Sequence, residues 1–326
     1  MTTRRTLLCL IGAGLAAPCV AFAQPARPKT VAVLFAGESD DDELAARPFF
    51  VEMHRLGWVE GQNIAYERFS GRGSREYVDG LAESAAGLEP QLIYATTATT
   101  ALAALKATRS VPIVFTTASD PVATGLVASL ARPGRNATGA YQFRGDVVAR
   151  RWQLVREAFP RLARVGAVFD RRAAEYGRQR AMHQDAARQA GPELAAADFT
   201  NFEAIAKIFA NFRRDGIRAV VVTPSFTLIA RRLEVGKLAL LNGLALVGYR
   251  ADWAETGALM SYGADVTESL RRSAGLVNRI LKGARPADTP VEQATKFELV
   301  INLRSAQALG LAIPQSILAR ADRVIR

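Results

Sequence analysis

The sequence contains few of the residues that form covalent cross-links or metal sites. Its 326 residues include two cysteines, Cys9 and Cys19, and two histidines, His54 and His183. Both cysteines lie in the first 23 residues, so a chain that loses this segment has no disulfide and no cysteine metal ligand. The histidines are far apart and lack a patterned carboxylate partner, which predicts no metal site. Neither a G-x-x-x-x-G-K-[ST] nor a G-x-S-x-G motif occurs, so an ATPase and a serine hydrolase have no support.

Long apolar runs are also absent beyond the N-terminus, where residues 1–23 have the three parts of a secretory signal peptide. Arg4 and Arg5 form a basic start, an apolar run spans 6–17, and Ala21-Phe22-Ala23 is a small-x-small cleavage site. The apolar run is shorter than the about 20 residues that span a bilayer, which favours cleavage over a membrane anchor. The arginine pair leaves both the general and the twin-arginine export routes open. We expect a soluble exported protein.

The charge balance is basic, with 42 Lys and Arg against 31 Asp and Glu, a formal charge of +11. Removal of Arg4 and Arg5 leaves 40 basic residues and a charge of +9. A basic excess is typical of proteins that meet nucleic acid, acidic surfaces or anionic ligands. An exported protein meets no chromosome, so we expect no nucleic-acid partner.

Short β-rich runs alternate with helical stretches along the rest of the chain. The predicted strands are 30–35, 63–69, 91–95, 112–115, 165–169, 194–199, 219–223, 245–249 and 296–301. Repeated strand-helix-strand units form parallel sheets with helices on both faces, and the pattern restarts after Gly139. The sequence therefore predicts an α/β protein with two doubly wound parallel-sheet lobes. In such folds, ligands bind beyond the carboxyl ends of the strands.

Several blocks make a family resemblance specific. In chain order they are LGWVEGQN (56–63), PIVF (112–115), DPV (120–122), GLVASLARPG (125–134), NATG (136–139), LMSYG (259–263), ILKGARPAD (280–288), TKFELVINL (295–303) and ALGLAIP (308–314). Together they resemble the substrate-binding family of bacterial ABC transporters, whose better-understood relatives bind tryptophan and other aromatic amino acids. The resemblance covers essentially the whole chain after the signal peptide.

The resemblance implies a type I periplasmic binding-protein fold in which two lobes enclose a small-molecule ligand in a central cleft. By analogy, lobe 1 holds residues 28–140 and 252–284, and lobe 2 holds 141–251 and 285–326. It also implies a monomer in the periplasm that delivers its ligand to an inner-membrane permease driven by a cytoplasmic ATPase. We expect no catalytic residue, metal or cofactor. A periplasmic sensor that reports to a membrane signalling protein is the alternative function.

Candidate ligand contacts in lobe 1 are hydroxyl residues that follow predicted strands. Thr97, Thr99 and Thr100 open a helix after the third strand, where hydroxyls and free backbone N–H groups suit a carboxylate. Thr117 and Ser119 occupy the equivalent place after the fourth strand. The alternative for a single threonine is helix capping. Ser39 follows the first strand in an acidic loop and could meet a ligand ammonium group.

Candidate contacts in lobe 2 are arginines and aromatic residues at strand ends. Arg171 and Arg250 stand where relatives often carry an Asn-Pro turn or an acid, and either could clamp a carboxylate. The alternative is that they are solvated surface residues. Phe226 and Trp253 are candidates to stack against a planar ligand, with core packing as the alternative. Aromatic amino acids are the first expectation for the ligand, and another carboxylate is the rival.

Overall fold

A computed structural model describes residues 27–37 and 39–326, apart from the side chains of residues 39–45. The predicted signal peptide, with Cys9 and Cys19, lies outside the described residues. The side chain of Ser39, a predicted ligand contact, lies outside them as well.

The strands form two sheets and are numbered here in chain order. The first sheet contains β1 (Lys29–Phe35), β2 (Ile64–Ser70), β3 (Leu92–Ala95), β4 (Ile113–Thr117), β5 (Ala137–Tyr141) and β11 (Glu292–Gln293). Its order is β11-β5-β4-β3-β1-β2, and every neighbouring pair is parallel. Residues 31–35 of β1 are buried, as expected for a continuous apolar strand that is covered on both faces.

The second sheet is built in the same way, with one exception. It contains β6 (Arg164–Asp170), β7 (Glu193–Phe199), β8 (Ala219–Val222), β9 (Ala245–Gly248), β10 (Met260–Ala264), β12 (Phe297–Asn302) and β13 (Arg323–Ile325). The order is β13-β12-β10-β9-β8-β6-β7. All its pairs are parallel except β10 with β12. The predicted class, two doubly wound and mainly parallel sheets, is confirmed.

Helices cover the faces of both sheets. In the described residues they are α1 (Ser39–Arg55), α2 (Val78–Gly87), α3 (Ala98–Ala107), α4 (Gly145–Ala158), α5 (Tyr176–Ala190), α6 (Glu203–Arg214), α7 (Phe226–Ala230), α8 (Arg232–Leu241), α9 (Ala251–Glu255), α10 (Val266–Leu281), α11 (Leu303–Ala308) and α12 (Gln315–Leu318). Short 3₁₀ turns occupy Arg75–Tyr77 and Pro286–Asp288.

The sequence predicts a helix over 225–241 and another that opens at Asp120-Pro121, and both differ in the structure. The stretch from Ser225 to Leu241 divides at Arg231, where φ is −120° and ψ is 31°. Asp120 does cap the turn after it, since its Oδ1 accepts from the N–H groups of Val122 and Ala123 at 2.9 and 3.2 Å. No helix continues from there within the described chain, which forms hydrogen-bonded turns up to Gly125.

The described chain passes between the lobes three times: from β5 to α4, from β10 to α10 and from β11 to β12. Strand β10 pairs with β9 and β12, whereas α10 packs on β3, β4 and β5 of the first sheet. The second crossing therefore lies near residue 265 and the third near 295, not at the predicted 252 and 285. The prediction failed because the short strands β10 and β11 were not recognised from the sequence.

Candidate ligand-binding site

The carboxyl ends of strands from both sheets meet at a cleft between the lobes. The lining comes from the segments after β2, β3, β4 and β5 in lobe 1 and after β6, β8 and β9 in lobe 2. Polar lining residues are Arg75, Thr96, Thr97, Thr99, Thr116, Thr117, Ser119, Thr124, Gln142, Glu175, Ser225, Tyr249 and Arg250. The cleft has a cavity volume of about 60 Å³, counted as the space open to the centre of a water molecule.

The start of α3 contributes both hydroxyls and backbone donors. Thr97 Oγ1 accepts from the N–H of Thr100 at 3.2 Å, and Thr100 Oγ1 accepts from the N–H of Thr97 at 3.1 Å. Thr100 is buried and is not part of the cleft lining, and its hydroxyl is used in this reciprocal cap. Its predicted role as a ligand contact is therefore corrected to that of a helix cap. Within the described residues, the N–H groups of Ala98 and Thr99 have no acceptor. They form the positive N-terminal end of a ten-residue helix, and such an end suits an anion.

The end of β4 is held by a buried network of hydroxyls. Thr116 Oγ1 lies 2.8 Å from the hydroxyl of Tyr94 and 2.6 Å from that of Ser273. Burial raises the pKa of Tyr94 to about 12, so this hydroxyl stays protonated. Thr117 Oγ1 accepts from the N–H of Ser119 at 3.0 Å. The structure thus places Thr117 and Ser119 on the lining in a fixed turn.

At the end of β6, the side chain that points inward is that of Asp170 and not that of the predicted Arg171. Asp170 is buried, and its carboxylate accepts from the Ser225 hydroxyl at 2.8 Å and from the N–H of Arg172 at 2.9 Å. Arg171 follows on the outside of this turn, is exposed and is not part of the lining. The prediction that Arg171 clamps a carboxylate is therefore corrected. The turn directs the Arg171 side chain to solvent, and Asp170 accepts the hydrogen bonds on the inner side of the turn.

Of the other lobe 2 candidates, two lie on the cleft and one does not. Phe226 and Tyr249 both line the cleft. Burial raises the pKa of Tyr249 to about 12. Arg250 also lines the cleft, with its Nη2 donating to Asp252 Oδ2 at 2.5 Å, so an acid already compensates its charge. Trp253 is fully buried in the core and off the lining, so the expected stacking role is corrected to packing.

Several lining residues were missed by the sequence analysis. Gln142 directly follows β5, and recognising that strand would have found it. Glu175 is buried, and burial raises its pKa, although it accepts from the N–H of Asp120 at 3.2 Å. Arg75 is half-buried, and burial lowers its pKa. No sequence signal distinguishes Arg75 or Glu175 from other surface charges.

Contacts across the cleft bring the lobes together. Arg178 of α5 donates to Asp120 at 2.7 Å, and Arg172 donates to Glu76 at 2.8 Å. Each pair joins a residue of one lobe to a residue of the other. The two lobes are therefore in direct contact through these side chains.

No group of three or more His, Cys, Asp or Glu side chains in the described part of the chain could hold a metal ion. None of the helices described here combines the length and the apolar character needed to cross a bilayer.

Two α/β lobes, three crossings and a polar cleft at the strand ends define a two-lobed solute-binding protein. The sequence model of the ABC transporter substrate binding protein family matches residues 31–325. The chain belongs to this family, which confirms the resemblance found in the sequence. The family consists of solute-binding proteins and not of enzymes.

Similar proteins agree with this assignment. The chain is 24% identical over 268 residues to a tyrosine-binding protein of Clostridioides difficile, covering 82% of this chain and 76% of the relative. A conserved domain protein from Vibrio cholerae superposes with a TM-score of 0.83 at 25% identity, over 91% of this chain and all of that one. An ABC domain from Streptococcus pneumoniae in complex with L-Trp gives 0.83 at 22% identity over the same shares. The fold is that of type I periplasmic binding proteins.

Proposed function

We propose that this protein is the exported receptor of an ABC importer, which binds a small organic carboxylate in the interlobe cleft and delivers it to a membrane permease. The observation that carries the proposal is the start of α3. Two backbone N–H groups that have no acceptor in the described part of the chain, those of Ala98 and Thr99, open there onto a cleft that faces the aromatic rings of Phe226 and Tyr249. A carboxylate at the helix start and an apolar group on these rings fit this lining.

Amino acids are the first ligand class within this proposal. Support comes from the names of the similar proteins, a tyrosine-binding protein and a domain in complex with L-Trp. An amino acid would bind its carboxylate at Ala98 and Thr99, and its ammonium group would find acceptors in Gln142 and Glu175. Of the residues predicted from the sequence, we propose the following as contacts: Thr97, Thr99, Thr117, Ser119, Phe226 and Arg250.

The proposal includes the cellular setting. The predicted signal peptide and the family support export to the periplasm, cleavage after residue 23 and partnership with an inner-membrane permease and its cytoplasmic ATPase. We propose a monomer that closes on its ligand and then docks on the permease. Closure is a population shift driven by tighter binding of the ligand to the closed state.

A thermal-shift screen of the purified, dialysed protein against amino acids and small carboxylates tests the proposal. A ligand at a hundredfold excess over Kd stabilises the native state by about 2.7 kcal/mol, which raises the unfolding midpoint by several degrees. Phe226→Leu should weaken binding of an aromatic ligand by up to about tenfold through lost stacking. Phe202→Leu, which lies off the cleft, is the matched control and should leave affinity unchanged. A screen in which only neutral sugars stabilise the protein would overturn the carboxylate assignment.

A further inference from the structure

A second chamber adjoins the cleft and shares part of its lining. Both spaces are lined by Ala118, Gln142, Glu175, Pro224 and Tyr249. The chamber extends past these shared residues to α4 and α5, where its lining includes the side chains of Arg151 and His183. The centre of a water molecule can reach about 30 Å³ there, enough for a group of the size of a carboxylate.

Arg151 is a buried cation that has no counter-ion among the described residues. The residue is only 5% exposed, and its Nε and Nη1 have no hydrogen-bond partner among the described residues. It forms no ion pair in the described part of the chain. Burial lowers the pKa of Arg151 to about 10, which leaves the guanidinium protonated at neutral pH. Buried charges in proteins are normally paired, because an isolated one is costly to remove from water.

The rest of the chamber offers donors and no free carboxylate. Trp152 Nε1 donates to His183 Nδ1 at 3.2 Å, so the proton of the neutral imidazole sits on Nε2. Burial, followed by the charge of Arg151, lowers the pKa of His183 to about 3 and keeps it neutral. Both amide atoms of Gln142 are buried without a partner among the described residues. Glu175, the acid on this lining, is already engaged by Arg178 at 3.2 Å.

We propose that the chamber holds an anionic group of the solute, bound by Arg151 and the amide of Gln142. One carboxylate then lies at the start of α3 and a second negative group lies at Arg151, so the solute carries two anionic groups. The class is that of dicarboxylates, which includes acidic amino acids and aromatic diacids. This inference rests on the proposed function, because it assumes that the cleft binds a solute carboxylate.

Titration calorimetry with isosteric ligand pairs tests the inference. L-glutamate is compared with L-glutamine, and terephthalate with its monoamide, since each pair differs by one charge. On the wild-type protein, at least one diacid should bind about 30-fold or more tightly than its monoamide. In Arg151→Met this preference should disappear. Arg150→Met is the matched control, because Arg150 is next in sequence but off the chamber lining, and it should keep the preference.

The stability of the ligand-free variant separates a binding role from a structural one. Removing an unpaired buried charge should leave the unfolding midpoint of Arg151→Met unchanged or raise it. A lowered midpoint together with an unchanged diacid preference would overturn the inference. Equal binding of each diacid and its monoamide by the wild-type protein would also overturn it while leaving the proposed function intact. If no carboxylate or amino acid binds at all, the proposed function itself fails.

Discussion

The ion pair between Asp120 and Arg178 joins the two lobes and should contribute directly to ligand affinity. Asp120 follows β4 in the first lobe, and Arg178 lies on α5 in the second. Their 2.7 Å contact exists only when the lobes are together. We predict that Arg178→Gln weakens ligand binding by disfavouring the closed arrangement.

The expected size follows from the exposure of the pair. The side chain of Arg178 is 39% exposed and that of Asp120 is 23% exposed, so solvent screens their attraction. Such pairs contribute about 0.5–1 kcal/mol. This corresponds to an apparent Kd that rises about two- to fivefold. Arg178 also pairs with Glu175, a contact that lies within the second lobe and does not itself join the two lobes.

A double-mutant cycle isolates the contact between the lobes. Asp120→Asn removes the charge but keeps a residue that caps the following turn. Calorimetric affinities of the wild type, both single variants and the double variant should give a coupling energy of about 0.5–1 kcal/mol that shrinks at high salt. Arg188→Gln, which breaks a pair with Asp185 inside the same helix, should leave affinity unchanged. A coupling energy of zero in affinity would refute the role of this pair in closure, even if stability falls.

Three further predictions concern stability. Gly139→Ala places a Cβ about 2.2 Å from the carbonyl oxygen of Phe115, so urea denaturation should show a free energy of unfolding lower by more than about 3 kcal/mol. Gly275→Ala has open space around its Cβ within a helix and should raise the free energy of unfolding by about 0.5–1 kcal/mol. Burial alone would raise the pKa of Glu268, but hydrogen bonds and the charge of Arg272 lower it to about 2, so its contribution should be present above about pH 4.5 and lost as pH falls through 2. Acid titrations that are identical for the wild type and Glu268→Gln would contradict this. Trp253→Ala should cost about 3–5 kcal/mol in denaturation, while Trp253→Phe should leave ligand affinity in calorimetry unchanged.

The sequence predicts the strands with strong apolar character and misses those built from small residues. Runs such as 30–35 and 219–223 appear as β1 and β8 with shifts of one residue at an end. Strands β5 and β10 contain Gly139 and Gly263, which lower the local preference for a strand. The structure needs both glycines, because a Cβ on Gly263 would lie 1.7 Å from the carbonyl oxygen of Tyr249. Missing β10, together with the two-residue strand β11, also misplaced the lobe boundaries.

Strand ends were a sound guide to the cleft but not to the direction of each side chain. Thr97 and Ser119 follow strands and do lie on the cleft lining. Arg171 also follows a strand but points to solvent, because Asp170 takes the inward position in the same turn and accepts from the Ser225 hydroxyl. One feature of the sequence does point to Arg151. It lies on the apolar stripe of α4 with Val148 and Val155, where a charged residue is unexpected.

The interleaved path of the chain also sets the order in which the protein can assemble. The first sheet receives its edge strand β11 and its covering helix α10 only after the chain has built most of the second lobe. A chain that emerges N-terminus first, from a ribosome or a membrane channel, cannot complete its first lobe until residue 293 is available. Contacts of such long sequence separation fold slowly. The topology therefore delays the complete native state until nearly the whole chain is available, even though the first five strands of the first sheet come before residue 142.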